Sequence, residues 1–104
     1  MPTRRERIEA LLALEPHDSL LRYGLGIEWE KEGQIERALE SFRGLMSDAP
    51  PYVPAFFRAA QMLAAAERVD EARTLLRDGI EAARRQGDLH AAGEMSEFLA
   101  SLGR

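Results

Sequence analysis

No cysteine occurs among the 104 residues, which excludes disulfide scaffolding and thiolate metal ligation. Lysine is nearly missing as well. Of the 14 basic residues only Lys31 is not arginine, a bias expected of a high-GC bacterial coding sequence. Cations are not in excess: the net charge is −4, so no nucleic-acid footprint is expected. No apolar run approaches the ~18 residues that a membrane span needs. Arg4, Arg5 and Arg7 precede the apolar stretch Ala10 to Leu14, but that stretch is too short and too soon charged for a signal peptide. The expected location is therefore cytoplasmic, with no membrane partner. Histidine is scarce. His17 and His90 both lie by aspartates at helix starts (Asp18, Asp88), where capping and surface roles outweigh catalysis. Gly24-Leu25-Gly26 is too short for a dinucleotide fingerprint, and no strand precedes it. With no nucleophile–base pair, metal cluster or phosphate loop, the chain reads as non-catalytic, without cofactor or metal.

What is present is helical. Hydrophobic residues make up 45% and charged residues 31%, a globular balance, and Ala, Glu and Arg, all compatible with helix, are abundant. A single domain of this length buries roughly two-thirds of its unfolded surface. Thr3 and Glu6 have capping-box spacing before Ile8, Leu11 and Leu12. Pro16 and Asp18 start a second helix that Gly33 ends. Ile35, Ala38, Leu39, Phe42, Leu45 and Met46 mark a third, from about Gln34 to Asp48, at i, i+3, i+4, i+7 spacing. Pro54 fits the first turn of a fourth helix, Tyr52 or Val53 to Ala66. A fifth carries Val69, Ala72, Leu75, Leu76, Gly79, Ile80 and Ala83. Gly87 and Asp88 then lead into a last helix through Ala92, Met95 and Leu99. The class is all-α, about six helices in antiparallel hairpins with short loops.

The pattern repeats at 34 residues. That step carries Tyr23 to Phe57, Gly26 to Ala60, Trp29 to Leu63, Ile35 to Val69, Ala38 to Ala72 and Phe42 to Leu76. Taken backward, it carries Phe42 to Ile8, Leu45 to Leu11 and Pro50 to Pro16. Arg22-x2-Leu25-Gly26-x2-Trp29, Ala38-x3-Phe42 and Pro50 resemble the tetratricopeptide repeat, as do Phe56-x2-Ala59-Ala60-x2-Leu63 and Ala72-x3-Leu76. The sequence departs from the family at Arg22, where a large apolar residue is usual, and at Arg84, where the closing Pro is missing. The resemblance implies a short right-handed α-solenoid: a partial unit over 1–16, full units over 19–52 and 53–86, and a capping helix over 88–102. Small residues at Gly26, Ala38, Ala60 and Ala72 should let helices approach, with Trp29, Phe42, Leu63 and Leu76 filling the space beside them. Gly79 reads as a contact for the final helix. Glu28, Glu30, Glu32, Glu36 and Glu40 read as a solvated, ion-paired face with Lys31 and Arg37.

In this family the first helix of each unit lines a concave surface that binds extended or helical peptides. The resemblance places Tyr23, Ile27 and Glu30 there in the first unit, and Phe57, Gln61 and Ala64 in the second. Tyr23, Ile27 and Phe57 would then form an apolar, aromatic patch fit for a contact site. The alternatives are that a terminal helix covers this patch or that it closes a homodimer. The Lys-then-Asn clamp of chaperone-binding members is lacking, since those places hold Tyr23 and Ile27, then Phe57 and Gln61. The expected partner is a protein or peptide segment, with self-association as the other reading.

Overall fold

Thr3 opens the first helix by accepting from the Glu6 amide at 3.1 Å, while Glu6 Oε1 accepts from the Thr3 amide at 2.8 Å. Asp18 and Asp88 do the same work at two later starts, accepting from Leu21 N at 2.8 Å and Ala91 N at 3.0 Å. Each cap satisfies a backbone donor that the first turn leaves open. In a computed structural model of the chain, which describes residues 1–103, the order is α1 (Arg4–Leu14), α2 (Ser19–Lys31), α3 (Ile35–Met46), α4 (Val53–Ala65), α5 (Val69–Arg85) and α6 (Leu89–Ser101). No strand occurs among the described residues, so the fold is all-α. The third helix stops at Met46, short of the Asp48 that periodicity suggests.

Packing divides the chain into two compact units, Met1–Pro50 and Pro51–Arg104. In the first, α2 pairs with α3, and α1 lies on α2. Ala38, Phe42 and Leu45 are fully buried. Gly26 is the close-approach point: a Cβ there would stand 2.6 Å from Phe42 Cε1. In the second unit α5 packs on both α4 and α6, and α4 also touches α6. Ala60, Leu63, Ala72, Leu76 and Met95 are fully buried. A Cβ on Gly79 would stand 2.6 Å from Phe56 Cβ and 2.7 Å from Met95 Sδ. Gly79 is thus the contact for the final helix that its position suggests. The small-and-large reading holds at Gly26, Ala38, Phe42, Ala60, Leu63, Ala72 and Leu76.

Trp29 does not hold to it. It is half-buried, and the guanidinium groups of Arg5 and Arg37 lie over its ring at 4.3 and 4.8 Å from the centroid. A core position in the repeat has become a cation–π stack joining α1, α2 and α3.

Three helices end in one motif. Gln34 N bonds Trp29 O at 2.9 Å, Arg68 N bonds Leu63 O at 2.8 Å, and Asp88 N bonds Ala83 O at 2.8 Å. The preceding amides of Gly33, Glu67 and Gly87 bond the next carbonyls at 2.9, 3.0 and 3.0 Å. This is the Schellman arrangement, and it needs a left-handed residue. Gly33 and Gly87 supply φ of 77° and 75°, but Glu67, one repeat step after Gly33, adopts 62° with a side chain attached.

These turns, contacts and caps can be tested by substitution. A non-glycine residue in the left-handed region costs ~1–2 kcal/mol, part of which glycine's larger unfolded-state entropy offsets. Glu67→Gly should therefore stabilise the chain by about 0.5–1 kcal/mol in urea unfolding, and Gly33→Ala should destabilise it by about as much. An unchanged midpoint for both would show that the turns are not strained. Gly79→Ala should cost ~1–3 kcal/mol despite alanine's better helix propensity, because Phe56 meets the new methyl at its Cβ and cannot swing away. The N-terminal cap is pH-sensitive. The backbone N–H of Thr3, then its side chain, hold the Glu6 carboxyl below the usual carboxylate range. A carboxyl held low lends stability above that range and loses it as pH falls through the lowered value. The protection of the α1 amides relative to their intrinsic exchange rates should fall as pH drops through that lowered range, and Glu6→Gln should abolish that pH-dependent loss of protection.

Candidate functional site

In the first unit the predicted residues lie on α2. Tyr23 is half-buried, its ring 5.8 Å from that of Phe42 at an interplanar angle of 56°. One turn on, Ile27 is half-buried too. Both line a cleft of about 640 Å³ whose other walls include Ile8 and Leu11 of α1 and Leu20 and Gly24 of α2. The lining is overwhelmingly apolar, with Arg4 and Arg7 at its edge. Leu11 is 50% exposed, Leu14 80% and Leu20 69%, so the mouth of this cleft continues into an apolar surface. Glu30 is half-buried on α2 but is not part of the cleft wall.

In the second unit Phe57, Gln61 and Ala64 share one side of α4. Phe57 is half-buried, its ring edge-on to Phe98 of α6 with centroids 5.7 Å apart. The final helix thus covers part of Phe57. Gln61 is exposed and Ala64 half-buried. The neighbouring Phe56 is the buried one of the aromatic pair, 5% exposed.

Charge organises the first unit in ways that the repeat pattern does not show. Glu28 is buried at 8% exposure, unlike the solvated face expected of it. It accepts from Arg4 Nε at 3.1 Å and Lys31 Nζ at 3.5 Å. Arg5 bonds Glu32 and Glu9 at 2.8 Å each. Its guanidinium is held above the ordinary range, chiefly by the Glu32 bond. Arg22, where the repeat usually has an apolar residue, grips Asp48 with two bonds, Nη1 to Oδ2 at 2.6 Å and Nη2 to Oδ1 at 3.3 Å. A bidentate guanidinium–carboxylate pair ties the start of α2 to the residues just past α3. His17 and His90 are exposed; Asp18 and Asp88 carry the caps. Among the described residues no three His, Asp or Glu side chains are grouped to hold a metal. None of the described helices is long and apolar enough to cross a membrane.

Both units are built from antiparallel helix pairs, the first with an open apolar cleft, and known proteins share this architecture. The tetratricopeptide repeat family model matches residues 31–95. A TPR repeat-containing protein of Pseudomonas aeruginosa is 32% identical over 99 residues, which cover 95% of this chain and 94% of that protein. The solution structure of a Bordetella parapertussis protein superposes with a TM-score of 0.81 at 31% identity, covering 100% of this chain and 90% of that one. A tetratricopeptide repeat domain protein from Salinibacter ruber, solved in solution, gives 0.77 at 28% identity over 85% of this chain and 89% of its own. The match spans well over half of the sequence, with helices in the family's order and its small and large residues in place. This chain belongs to the tetratricopeptide repeat family.

Proposed function

We propose that the chain is a non-catalytic binding module of the cytoplasm that takes a segment of another protein on the faces its first helices present. Those faces are Tyr23, Ile27 and Glu30 of α2, and Phe57, Gln61 and Ala64 of α4. In tetratricopeptide arrays this is the side that lines the concave surface. The observation that carries the reading is in the first unit, where Tyr23 and Ile27 line an open apolar cleft. Large apolar and aromatic side chains left half-exposed beside a cleft are the usual anchors of protein recognition. A second reading, a homodimer closed by the apolar surface, draws on the exposure of Leu11, Leu14 and Leu20.

The test pairs affinity capture with a titration of the captured protein. Tyr23→Ala combined with Phe57→Ala should weaken that binding by ~2 kcal/mol or more per anchor. Each side chain also touches a ring within its own unit, so melting curves must show that the variant remains folded at the temperature of the titration. A folded double variant that binds as the parent does would place the contact elsewhere. Light scattering addresses the second reading: a dimeric parent that becomes monomeric on substitution makes self-association the function of the patch.

A further inference from the structure

The internal repeat supplies a template for what the cleft on the first unit holds. A step of 68 residues, twice the 34-residue period, carries α1 and α2 onto α5 and α6. In the second unit the α5–α6 pair is covered by α4, whose Phe56 packs where Gly79 and Met95 meet. The residues that correspond to Gly79 and Met95 are Leu11 and Ile27, and both line the open cleft. Leu76 and Ala92 correspond to Ile8 and Gly24, also in its wall. The covered set is buried, with Leu76 and Met95 at 0% and Ala92 at 5%. Leu11, in contrast, is 50% exposed, and α1 has no buried residue at all. One surface is therefore built twice, once under a helix and once open.

Charged residues along α1 specify the charge of the occupant. Where α5 has Ala72 and Leu75, α1 has Arg4 and Arg7, the two arginines of the cleft's edge. Where α5 has Ala83, the C-cap of α1 has Glu15. The α4–α5 hairpin turns at Glu67 and Arg68, and Phe56 meets Gly79 across it. This antiparallel pairing sets Ala72 near Leu63 and Leu75 near Ala60. A helix seated on α1 as α4 sits on α5 thus brings its C-terminal half to Arg4 and Arg7 and its N-terminal end to Glu15. Both ends of its dipole then face complementary charge, and carboxylates in its second half would strengthen the match. Arg4 already pairs with Glu28 but is 72% exposed, and Arg7 is exposed.

We propose that the α1–α2 cleft takes an amphipathic helix of another protein in the pose of α4, an apolar anchor seated between Leu11 and Ile27 and acidic residues facing Arg4 and Arg7. It rests on the reading that this chain binds other proteins, and it adds the partner's secondary structure, orientation and charge.

The probe is a synthetic peptide with the sequence of residues 51–66 carrying Ala60→Glu and Leu63→Glu, set against the same peptide with Ala60→Lys and Leu63→Lys. Methyl and amide signals of the full chain are followed during titration. The acidic peptide should shift Ile8, Leu11 and Ile27 while Leu76 and Met95 stay in place, and should bind about tenfold more tightly than the lysine peptide at low salt. Leu11→Glu should abolish the shifts without changing the melting curve, since that side chain is half exposed. Phe57→Ala should leave them intact. Absence of shifts, equal affinity of the two peptides, or shifts confined to α5 and α6 would each overturn the proposal. So would a dimer by light scattering that Leu11→Glu dissolves, because the occupant is then a second copy. A natural partner whose binding needs Phe57 but not Leu11 would sink this proposal while sparing the function proposed above.

Discussion

Each unit depends on one steric condition: where two helices of a pair come closest, a bulky side chain on one must meet a backbone with no side chain on the other. In the first unit the bulk is Phe42 and the bare backbone is Gly26. In the second unit the bulk is Phe56 on the first helix and the bare backbone is Gly79 on the second. The residues one repeat step from Phe56 and Gly79 are Arg22 and Leu45. Leu45 is fully buried, and Arg22 turns to Asp48 instead of entering the core. Bulk has moved from one helix to the other, so that a phenylalanine meets a glycine at the crossing in each unit. Cores tolerate such exchanges far better than a change in total volume, which explains how two units with different residues keep the same hairpin.

That same logic explains how much of the molecule is legible in the sequence. Volume and spacing are written along one dimension, so the 34-residue period alone places Phe42, Leu63, Leu76 and the alanines opposite them. Gly79 is assigned to the final helix on the same ground. The alignment of Tyr23 and Ile27 along one side of α2 follows from helical spacing as well. What stays hidden depends on pairings between distant residues. Glu28 is buried because Arg4, 24 residues earlier, reaches over it. Trp29 sits outside the core because Arg5 and Arg37 stack on its faces. No periodicity encodes which arginine finds which partner. The cleft is hidden for a related reason, since its wall needs Ile8 and Leu11 brought up by the docking of α1. Glu67 lies between these cases: its strained turn shows only when its position is aligned with Gly33.

The way α1 is attached links these details to function. It has no buried side chain, and its ties to α2 include two ion pairs, Arg4–Glu28 and Arg5–Glu32, and the stack of Arg5 on Trp29. Glu28 and Arg5 are largely shielded, but their partners Arg4 and Glu32 are 72% and 37% exposed, so both pairs weaken as salt is added. Burial is what holds α5, by contrast, with Ala72, Leu76 and Ala83 fully enclosed. A helix whose apolar residues are at most half-buried belongs toward the low-stability end of a fold, where surfaces that adjust to a partner are found. The apolar side of α1 is therefore only partly covered, with Leu11 and Leu14 exposed. A partner helix that buried Leu11 would supply to α1 the hydrophobic contact that α4 supplies to α5. Binding and the ordering of the first helix would then be one event, and the affinity of the module would include whatever stability α1 lacks alone.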